Sequence, residues 1–414
     1  MSRALYPALL LIGDGMGDRP VMELGNRTPL EAAHTPTMDR LAREGECGLM
    51  DPIAPGIRAG SDTAHLALLG YDPYEVYTGR GPFEALGIGM EVRGGDIALR
   101  CNFSTVDENW RVIDRRAGRI TQGTEQLAAV LNGVEIEGVQ CFFKESVAHR
   151  GALVLRGEGL SARISDVDPH TEGERVAECR PLDPNDEASA RTARVVNAFV
   201  RLSYERLKDH PINRERVAQG LLPANIVLPR GAGVAPHLEP FPARHGVRAA
   251  AVVETGLIRG IARFVGMDIL DAPGTTGGLD SDLMSMGRTL VQALQTYDFV
   301  LCNVKAPDLC GHDGNPVQKV EVIERMDAML RLMLETVGHD FYLALSADHS
   351  TPCSVRDHSG DPVPLLIWGP DLRGDEVQVF HERACMRGGL GRLRGRDLVP
   401  ILTQLMGIQE KFGA

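Results

Sequence analysis

Short apolar runs that end in polar turns are the clearest pattern along this chain. Three of them extend for about five residues without polar alternation, which is typical of parallel strands covered by helices on both faces. These runs are Ala8–Ile12, Phe299–Val304 and Phe341–Leu345. The pattern predicts a mostly parallel sheet with polar turns at the ends of its strands.

Helical patterns lie between the apolar runs, at Thr35–Glu44, Asp280–Gln295 and Val317–Val337. Thr35 and Pro36 suit the N-cap and the first turn of the first of these helices. Alternation of strands and helices predicts an α/β fold in which helices sandwich the sheet. Because such sheets bind ligands at the carboxyl ends of their strands, the residues that follow the strands are candidate site residues.

The middle of the chain has a different character. Short alternating runs such as Asp96–Phe103 and Ala152–Arg156 are rich in turns, and a strong helical pattern covers Asp186–Leu207. This predicts an inserted α+β domain over residues 90–249. Residues 1–89 and 250–414 would then form one discontinuous catalytic domain.

Composition narrows the classes of function. The 414 residues suit two domains, and a net charge of -12 argues against nucleic acid as a partner. The eight cysteines form no C-x-x-C pair, and no apolar run is long enough to span a bilayer. We therefore expect reduced thiols, a cytoplasmic location and no membrane partner, while the net charge does not exclude a small anionic substrate. The oligomeric state stays open.

Carboxylates and imidazoles follow all three predicted strands. They are Asp14, then Asp308 with His312, then Asp348 with His349 and the later His358. A lone aspartate after a strand is more often a turn residue or a cap, but parallel strands would bring all of these to one edge of the sheet. So many such groups would repel one another unless cations held them. The pattern predicts two divalent ions about 4 Å apart, an arrangement that suits phosphoryl transfer.

Ser61 is the candidate nucleophile. It stands in Arg58-Ala59-Gly60-Ser61-Asp62-Thr63-Ala64-His65, ahead of an apolar stretch, where a serine could simply cap a helix. A helix N-terminus also favours an anion, and a neighbouring metal would activate the hydroxyl. The glycine-rich Gly13–Gly17 segment matches neither the P-loop nor the dinucleotide-binding pattern.

Five segments of the chain resemble the archaeal-type 2,3-bisphosphoglycerate-independent phosphoglycerate mutases of the alkaline phosphatase superfamily. The segments are LLLIGDGMGDRP, AGSDTAHLALLGYDP, GRGPFEALG, KAPDLCGHDG and SADHSTPCSVRDHSGDPVPLLIWG. They occur in the family's order, and the serine motif, D-x-x-x-H and the two D-H pairs occur together. The resemblance implies an alkaline-phosphatase-like sheet sandwiched by helices, with an inserted α+β lid.

The same resemblance implies the chemistry of the site. One metal would be held by Asp14, Ser61, Asp348 and His349, and the second by Asp308, His312 and His358. A phosphoryl group would pass from 3-phosphoglycerate to Ser61 and return to the other hydroxyl, giving 2-phosphoglycerate without any bisphosphoglycerate. Mn²⁺ is the expected metal, although such ligands also accept Zn²⁺, Co²⁺ or Mg²⁺.

Four further residues are candidates for substrate contacts. His170 could shuttle a proton between the glycerate hydroxyls, and Arg259, Arg263 and Lys305 could bind phosphate or carboxylate. Arg259 departs from the family pattern, which has lysine there, so the geometry of its contact differs.

The metal ligands do not separate several related activities. A type II homoserine kinase-like phosphotransferase would use the same machinery with a nucleotide, and a metal-dependent phosphomonoesterase would let water attack the phosphoserine. A metal-stabilised binding protein without catalytic activity is the remaining alternative, in which Ser61 would be dispensable.

Overall fold

The computed structural model describes residues 6–409, 411 and 413. They form two compact units, one up to Val76 and from Glu239 onward, the other from Tyr77 to Leu238. The predicted division at residues 90 and 249 differs from these bounds. The helix Gly81–Gly87 packs on the sheet of the second unit, while the ring of Phe241 lies 4.7 Å from that of Phe299 in the first unit.

The strands lie in chain order as follows: β1 (Ala8–Gly13), β2 (Glu46–Asp51), β3 (Ile97–Val106), β4 (Val112–Asp114), β5 (Val134–Ile136), β6 (Val139–Glu145), β7 (Arg150–Arg156), β8 (Ile226–Val234), β9 (Ala249–Val253), β10 (Asp268–Ile269), β11 (Phe299–Val304), β12 (Tyr342–Ser346), β13 (Val363–Trp368) and β14 (Gly391–Arg394).

The α-helices are α1 (Pro29–Ala32), α2 (Pro36–Glu44), α3 (Ser61–Leu68), α4 (Pro73–Val76), α5 (Gly81–Gly87), α6 (Thr124–Ala129), α7 (Glu187–Leu207), α8 (Pro211–Ala218), α9 (Phe241–His245), α10 (Gly256–Phe264), α11 (Leu283–Thr296), α12 (Ala306–Asp313), α13 (Pro316–Val337), α14 (Glu382–Cys385) and α15 (Leu398–Leu405). Short 3₁₀ turns cover Met22–Leu24, Ala117–Arg119 and Gly395–Asp397.

The first unit is built on a sheet in the order β10-β9-β11-β1-β12-β13-β2-β14. Its strands pair in parallel from β10 to β12, whereas β13 is antiparallel to both of its neighbours. The predicted mostly parallel sheet is therefore confirmed. Every residue of β1, β11 and β12 is buried, as their apolar sequences require. Because β1 lies between β11 and β12, the loops that follow these three strands are neighbours at one edge.

Aspartate and asparagine caps set the starts of the long helices. Asp282 accepts a hydrogen bond from the backbone of Ser285, so α11 begins at Leu283 rather than at the predicted Asp280. Asp186 caps α7 and Asn315 caps α13 in the same way. The predicted helices are confirmed, with their first residues shifted to the position after a cap.

The second unit has an antiparallel sheet in the order β4-β3-β7-β6-β5, with β8 also paired to β3. Its core contains Phe103, Phe143 and Phe199, and the ring of Phe143 contacts the rings of the other two. All eight cysteines of the chain are free and buried. Among the described residues, no helix combines the length and the apolar composition needed to cross a bilayer.

Candidate active site

Ser61 is the first residue of α3, in the first unit. Gly60 occupies the N-cap position, and the Ser61 side chain makes no capping hydrogen bond. The Ser61 Oγ instead lies 3.1 Å from Nε2 of His349, at a buried position. The hydroxyl therefore does not serve as a helix cap, and it faces the residues at the strand ends.

Three aspartates surround this position. Asp14 directly follows β1, Asp348 follows β12, and Asp308 lies in the first turn of α12 just after β11. All three are buried. Burial, together with the nearby charge of Asp348, raises the pKa of Asp14 well above its usual value. Carboxylates packed this closely need a cation to remain ionised.

Lys305 is the cation that the chain itself supplies. Its Nζ lies 2.9 Å from Asp14 Oδ1 and 2.6 Å from Asp308 Oδ2. Although burial acts to lower the pKa of Lys305, the charges of Asp14 and Asp308 raise it above the usual value. The same ion pair outweighs burial at Asp308 and lowers the pKa of that carboxyl. Lys305, predicted as a substrate contact, thus binds the predicted metal ligands directly.

Three histidines of the site have Nδ1 held by a hydrogen bond to another part of the protein, and their Nε2 atoms lie near the aspartates. Nδ1 of His312 lies 3.1 Å from the Arg356 carbonyl, and Nδ1 of His358 lies 2.8 Å from the Ala59 carbonyl. A carbonyl can only accept, so both Nδ1 atoms carry the proton. Nε2 of these rings, which offers a lone pair when the ring is neutral, lies 3.5 Å (His312) and 3.7 Å (His358) from Asp308 Oδ1.

The third ring, that of His349, follows the same logic through Thr351. The Thr351 hydroxyl donates to Asp308 Oδ1 at 2.6 Å, so it accepts from Nδ1 of His349 at 3.0 Å. Burial lowers the pKa of His349 to about 4, so the ring is neutral at neutral pH. Its Nε2 lone pair faces Ser61, Asp14 and Asp348. A histidine whose Nδ1–H is held from behind is the usual arrangement for a metal ligand.

Two groups of side chains converge closely enough to hold metal ions. In each group, one ligand atom from every residue lies within 4.8 Å of the others: Asp14, Asp348 and His349 form the first, and Asp308, His349 and His358 the second. Asp348 Oδ2 is buried without a hydrogen-bond partner. An orphaned, buried carboxylate oxygen beside neutral imidazole lone pairs fits a divalent cation.

Sequence reasoning missed two buried polar residues beside these groups. His65 is one helical turn beyond Ser61, and Asn303 lies within β11. Burial lowers the pKa of His65, so this ring is also neutral. Neither residue belongs to a ligand motif. The one available signal was that each is a polar side chain inside an otherwise apolar run.

The two predicted arginines both lie on α10. Arg259, on α10, donates to the exposed Asp271 at 2.6 Å and to the Val253 carbonyl at 3.4 Å. Arg263, on the same helix, is exposed. Their roles as substrate contacts stay predictions.

His170 lies in the second unit, in an unusual backbone conformation with a φ of 63°. Its Nε2 lies 3.0 Å from Asp166, and its backbone N–H donates to Asp168. Arg115 makes a bidentate pair with Asp168, at 2.9 Å and 2.6 Å. The ring of His170 is therefore held beside Asp166, and its backbone is held by Asp168, which is itself paired with Arg115.

A cluster of arginines around His170 was not predicted. Arg230 Nε is buried without a hydrogen-bond partner and lies 3.8 Å from Asp168 Oδ2. Burial, and then the like charge of Arg100, lower the pKa of Arg230. Arginines this crowded suit an anionic ligand. They come from positions 100, 115 and 230, far apart in the sequence, which is why no local motif indicated them.

Three comparisons with known proteins bear on this fold and site. A family model described as 2,3-bisphosphoglycerate-independent phosphoglycerate mutase matches residues 42–213. The enzyme of that name from Methanosphaera stadtmanae is 54% identical over 409 residues, covering 98% of this chain and 99% of its own. A counterpart from Methanothermobacter thermautotrophicus is 53% identical, with 98% and 99% coverage.

Solved structures agree with these relatives. A protein from Pyrococcus horikoshii aligns with a TM-score of 0.84 and 40% identity, covering 99% of both chains. The cofactor-independent phosphoglycerate mutase from Thermoplasma acidophilum aligns with a TM-score of 0.80 and 38% identity, covering 97% of this chain and 100% of that one.

The fold and the relatives define an α/β enzyme of the isomerase class. More particularly, the chain belongs to the family of 2,3-bisphosphoglycerate-independent phosphoglycerate mutases. The resemblance inferred from its motifs is confirmed.

Proposed function

We propose that this protein interconverts 3-phosphoglycerate and 2-phosphoglycerate through a phosphoserine at Ser61, using two divalent metal ions. The observation that carries the proposal is the position of the Ser61 hydroxyl. It stands at the start of α3 and 3.1 Å from His349, within a group of metal-type ligands. Relatives that share about half of their residues with this chain are named phosphoglycerate mutases, which supports phosphoglycerate as the substrate.

The chain offers ligands for both ions. We assign Asp14, Ser61, Asp348 and His349 to one ion and Asp308, His312 and His358 to the other. Ions bound there would lower the pKa of the serine hydroxyl and neutralise charge on the phosphoryl group. Mn²⁺ suits such oxygen and imidazole ligands, as do Zn²⁺ and Co²⁺.

The remaining steps fall to side chains of the protein. The Ser61 hydroxyl gives up its proton to solvent and its oxygen forms a bond to phosphorus, while the bond from phosphorus to the 3-oxygen of the substrate breaks. We assign to His170 the proton that this oxygen takes up. His170 then regains a proton from the 2-hydroxyl as that oxygen attacks the phosphoserine; the bond from phosphorus to the Ser61 oxygen breaks, and this oxygen takes back a proton from solvent.

The arginines of the second unit are candidates for binding the acidic groups of the substrate. The crowding of Arg100, Arg115 and Arg230, and the unpartnered Nε of Arg230, support an anion as their ligand. A carboxylate or a phosphate would give the Nε of Arg230 an acceptor. Of the residues predicted earlier, Arg259 and Arg263 are further candidates for the same purpose.

A coupled assay tests the proposal. Purified protein with Mn²⁺ should form 2-phosphoglycerate from 3-phosphoglycerate with no added bisphosphoglycerate, and exhaustive chelation should abolish this turnover until Mn²⁺ is restored. Acid-quenched enzyme should carry one phosphoryl group on the peptide containing Ser61. Ser61→Ala should lose both signals, whereas Ser203→Ala, a buried serine of the second unit, should keep them.

The same assay separates the related activities. Release of ADP from ATP in the presence of homoserine, without mutase turnover, would identify a homoserine kinase-like enzyme. Release of inorganic phosphate at a rate equal to isomerisation would identify a phosphomonoesterase. Full activity after exhaustive chelation would contradict the use of metal ions.

A further inference from the structure

His65 connects the nucleophile to a second buried side chain. Its ring is completely buried on α3, and Nδ1 lies 2.7 Å from the carbonyl oxygen of Ser61. The carbonyl can only accept, so Nδ1 carries the proton and Nε2 has the lone pair. That lone pair lies 3.2 Å from the amide nitrogen of Asn303. The neutral ring thus donates on one side and accepts on the other.

Asn303 extends the connection to Asp14. Its Nδ2 also lies 3.1 Å from Asp14 Oδ2, so its two N–H bonds point to Asp14 and to His65. The other oxygen of this carboxylate, Oδ1, faces Lys305 at 2.9 Å and Nε2 of His349 at 3.7 Å. Asn303 therefore holds Oδ2 of Asp14, whereas Oδ1 faces Lys305 and the group of ligands.

We propose that His65 and Asn303 are positioning residues that act through Asp14. Together they fix which oxygen of this carboxylate faces the metal ion, and they hold the carboxylate at a fixed position relative to Ser61. This inference rests on the metal site of the proposed function. Neither residue touches the reacting atoms. Their effect is to present Asp14 as a ligand through a single oxygen, at a set distance from the start of α3.

A purely structural role accounts poorly for Asn303. The amide lies in the fully buried strand β11, whose other residues are apolar, and its Oδ1 has no hydrogen-bond partner. Burying an amide with one unpaired oxygen costs stability, and a leucine of similar size would avoid that cost. A polar side chain at position 303 is explained if its amide orients the metal ligand Asp14 through a hydrogen bond to Oδ2.

Two substitutions of His65 separate positioning from packing. The amide nitrogen of His65→Asn can replace the Nδ1 donor to the Ser61 carbonyl, but its amide oxygen does not reach the position of Nε2, so no acceptor faces Asn303. The amide oxygen of His65→Gln reaches the position of Nε2 and can accept from Asn303. We would measure binding of Mn²⁺ alone to the metal-stripped full-length protein, from the spin-resonance signal of free Mn²⁺, with circular dichroism to verify folding.

The expected result is an unequal effect of the two substitutions. His65→Asn should weaken Mn²⁺ binding about 10- to 100-fold, as is usual when a residue that orients a ligand is removed. His65→Gln should stay close to the wild-type affinity. Equal affinities of the two variants, whether both unchanged or both reduced, would overturn the proposal, because the proposal requires an acceptor at the position of Nε2, which only the glutamine supplies.

A second comparison tests whether the two residues act in series. Asn303→Leu should weaken Mn²⁺ binding as much as His65→Asn does, and the double variant should lose no more than either single one. Additive losses would overturn the connection. Asn213→Leu is the matched control, since this asparagine is equally buried but lies in the second unit; its Mn²⁺ affinity should be unchanged. Because no substrate is present, a wild-type protein without mutase turnover would refute the proposed function and leave this comparison decisive.

Discussion

Lys305 donates a hydrogen bond to Asp14, with 2.9 Å between Nζ and Oδ1, and the same ammonium group lies 2.6 Å from Asp308. One lysine thus bridges carboxylates that belong to two different strand ends. A divalent cation between the same carboxylates would compete with this lysine for their oxygens. Lys305 and the metal ions therefore offset the same repulsion between the carboxylates of Asp14 and Asp308. Without Lys305, the folded protein should depend more strongly on bound metal, and without metal it should depend more strongly on Lys305.

Lys305→Met should make the stability of the first unit dependent on metal. Without metal, the variant leaves buried carboxylates unpaired, which should lower the free energy of unfolding by about 3 kcal/mol. Added Mn²⁺ should recover most of that loss. Urea unfolding followed by Trp368 fluorescence, in a Trp110→Phe background so that one tryptophan remains, measures both quantities. The exposed Lys411→Met is the control, and an unfolding curve of Lys305→Met that matches it would contradict the prediction.

A second lysine, Lys319, connects the loops that follow β1 and β12. Its fully buried ammonium group lies 2.8 Å from Asp18 Oδ2 and 3.0 Å from the Thr351 carbonyl. Lys319→Met should lower the free energy of unfolding by about 3–5 kcal/mol, because Asp18 is then a buried charge without its partner. The double variant with Asp18→Asn should be more stable than Lys319→Met alone. Urea unfolding of both variants tests this, and a further loss in the double variant would show that the two residues act independently.

His245 should make the stability of the first unit depend on pH. Burial lowers its pKa from 6.5 to about 4, and its Nε2 has no hydrogen-bond partner. Between pH 6.5 and about 4, His245 binds a proton in the unfolded chain but not in the folded protein. The contribution of His245 to stability should therefore decrease as the pH falls through this window and stay constant below it. After allowance for partial exposure, this amounts to about 1–2 kcal/mol.

The measurement is the slope of the free energy of unfolding between pH 6.5 and pH 4. His245→Phe removes the titrating group while keeping a ring against Phe241, so its slope should be shallower than that of the wild type. His34→Phe makes the same change at an exposed position and should leave the slope unaltered. Equal slopes in His245→Phe and wild type would exclude His245 as a source of the acid sensitivity.

The parts of this molecule that the sequence predicts are those governed by local patterns. The runs at β1, β11 and β12 are apolar because both faces of the sheet are covered, so the pattern located them to within about a residue. Parallel pairing then placed Asp14, Asp308 and Asp348 at one edge. These residues are close in space because each follows a strand, a relationship visible in the sequence.

Features that depend on long-range packing were not predictable in this way. Asn303 occupies a position in β11 where local patterning favours an apolar residue, and its partners are 238 and 289 positions away. Arg100, Arg115 and Arg230 meet through the pairing of β3 with β8 and a turn after β4. The compact unit begins at Tyr77 rather than at residue 90 because α5 packs on the sheet that follows it, which a composition shift does not reveal.

His170 provides the test of proton transfer in the second unit. Its side chain is about half exposed, and its backbone has a positive φ that asparagine tolerates well. His170→Asn should therefore fold normally while lowering kcat about 100- to 10,000-fold, the usual contribution of a general acid or base. Phosphoserine at Ser61 should still form, but more slowly, because the departing glycerate oxygen lacks its proton donor.

Steady-state kinetics and rapid acid quenching measure kcat and the rate of Ser61 phosphorylation in the same preparation. His237→Asn is the control, since this histidine is also exposed in the second unit and should retain full kcat. A structural role for His170 would lower the melting temperature together with kcat. An unchanged kcat in His170→Asn would exclude this histidine from proton transfer and direct attention to another group of the second unit.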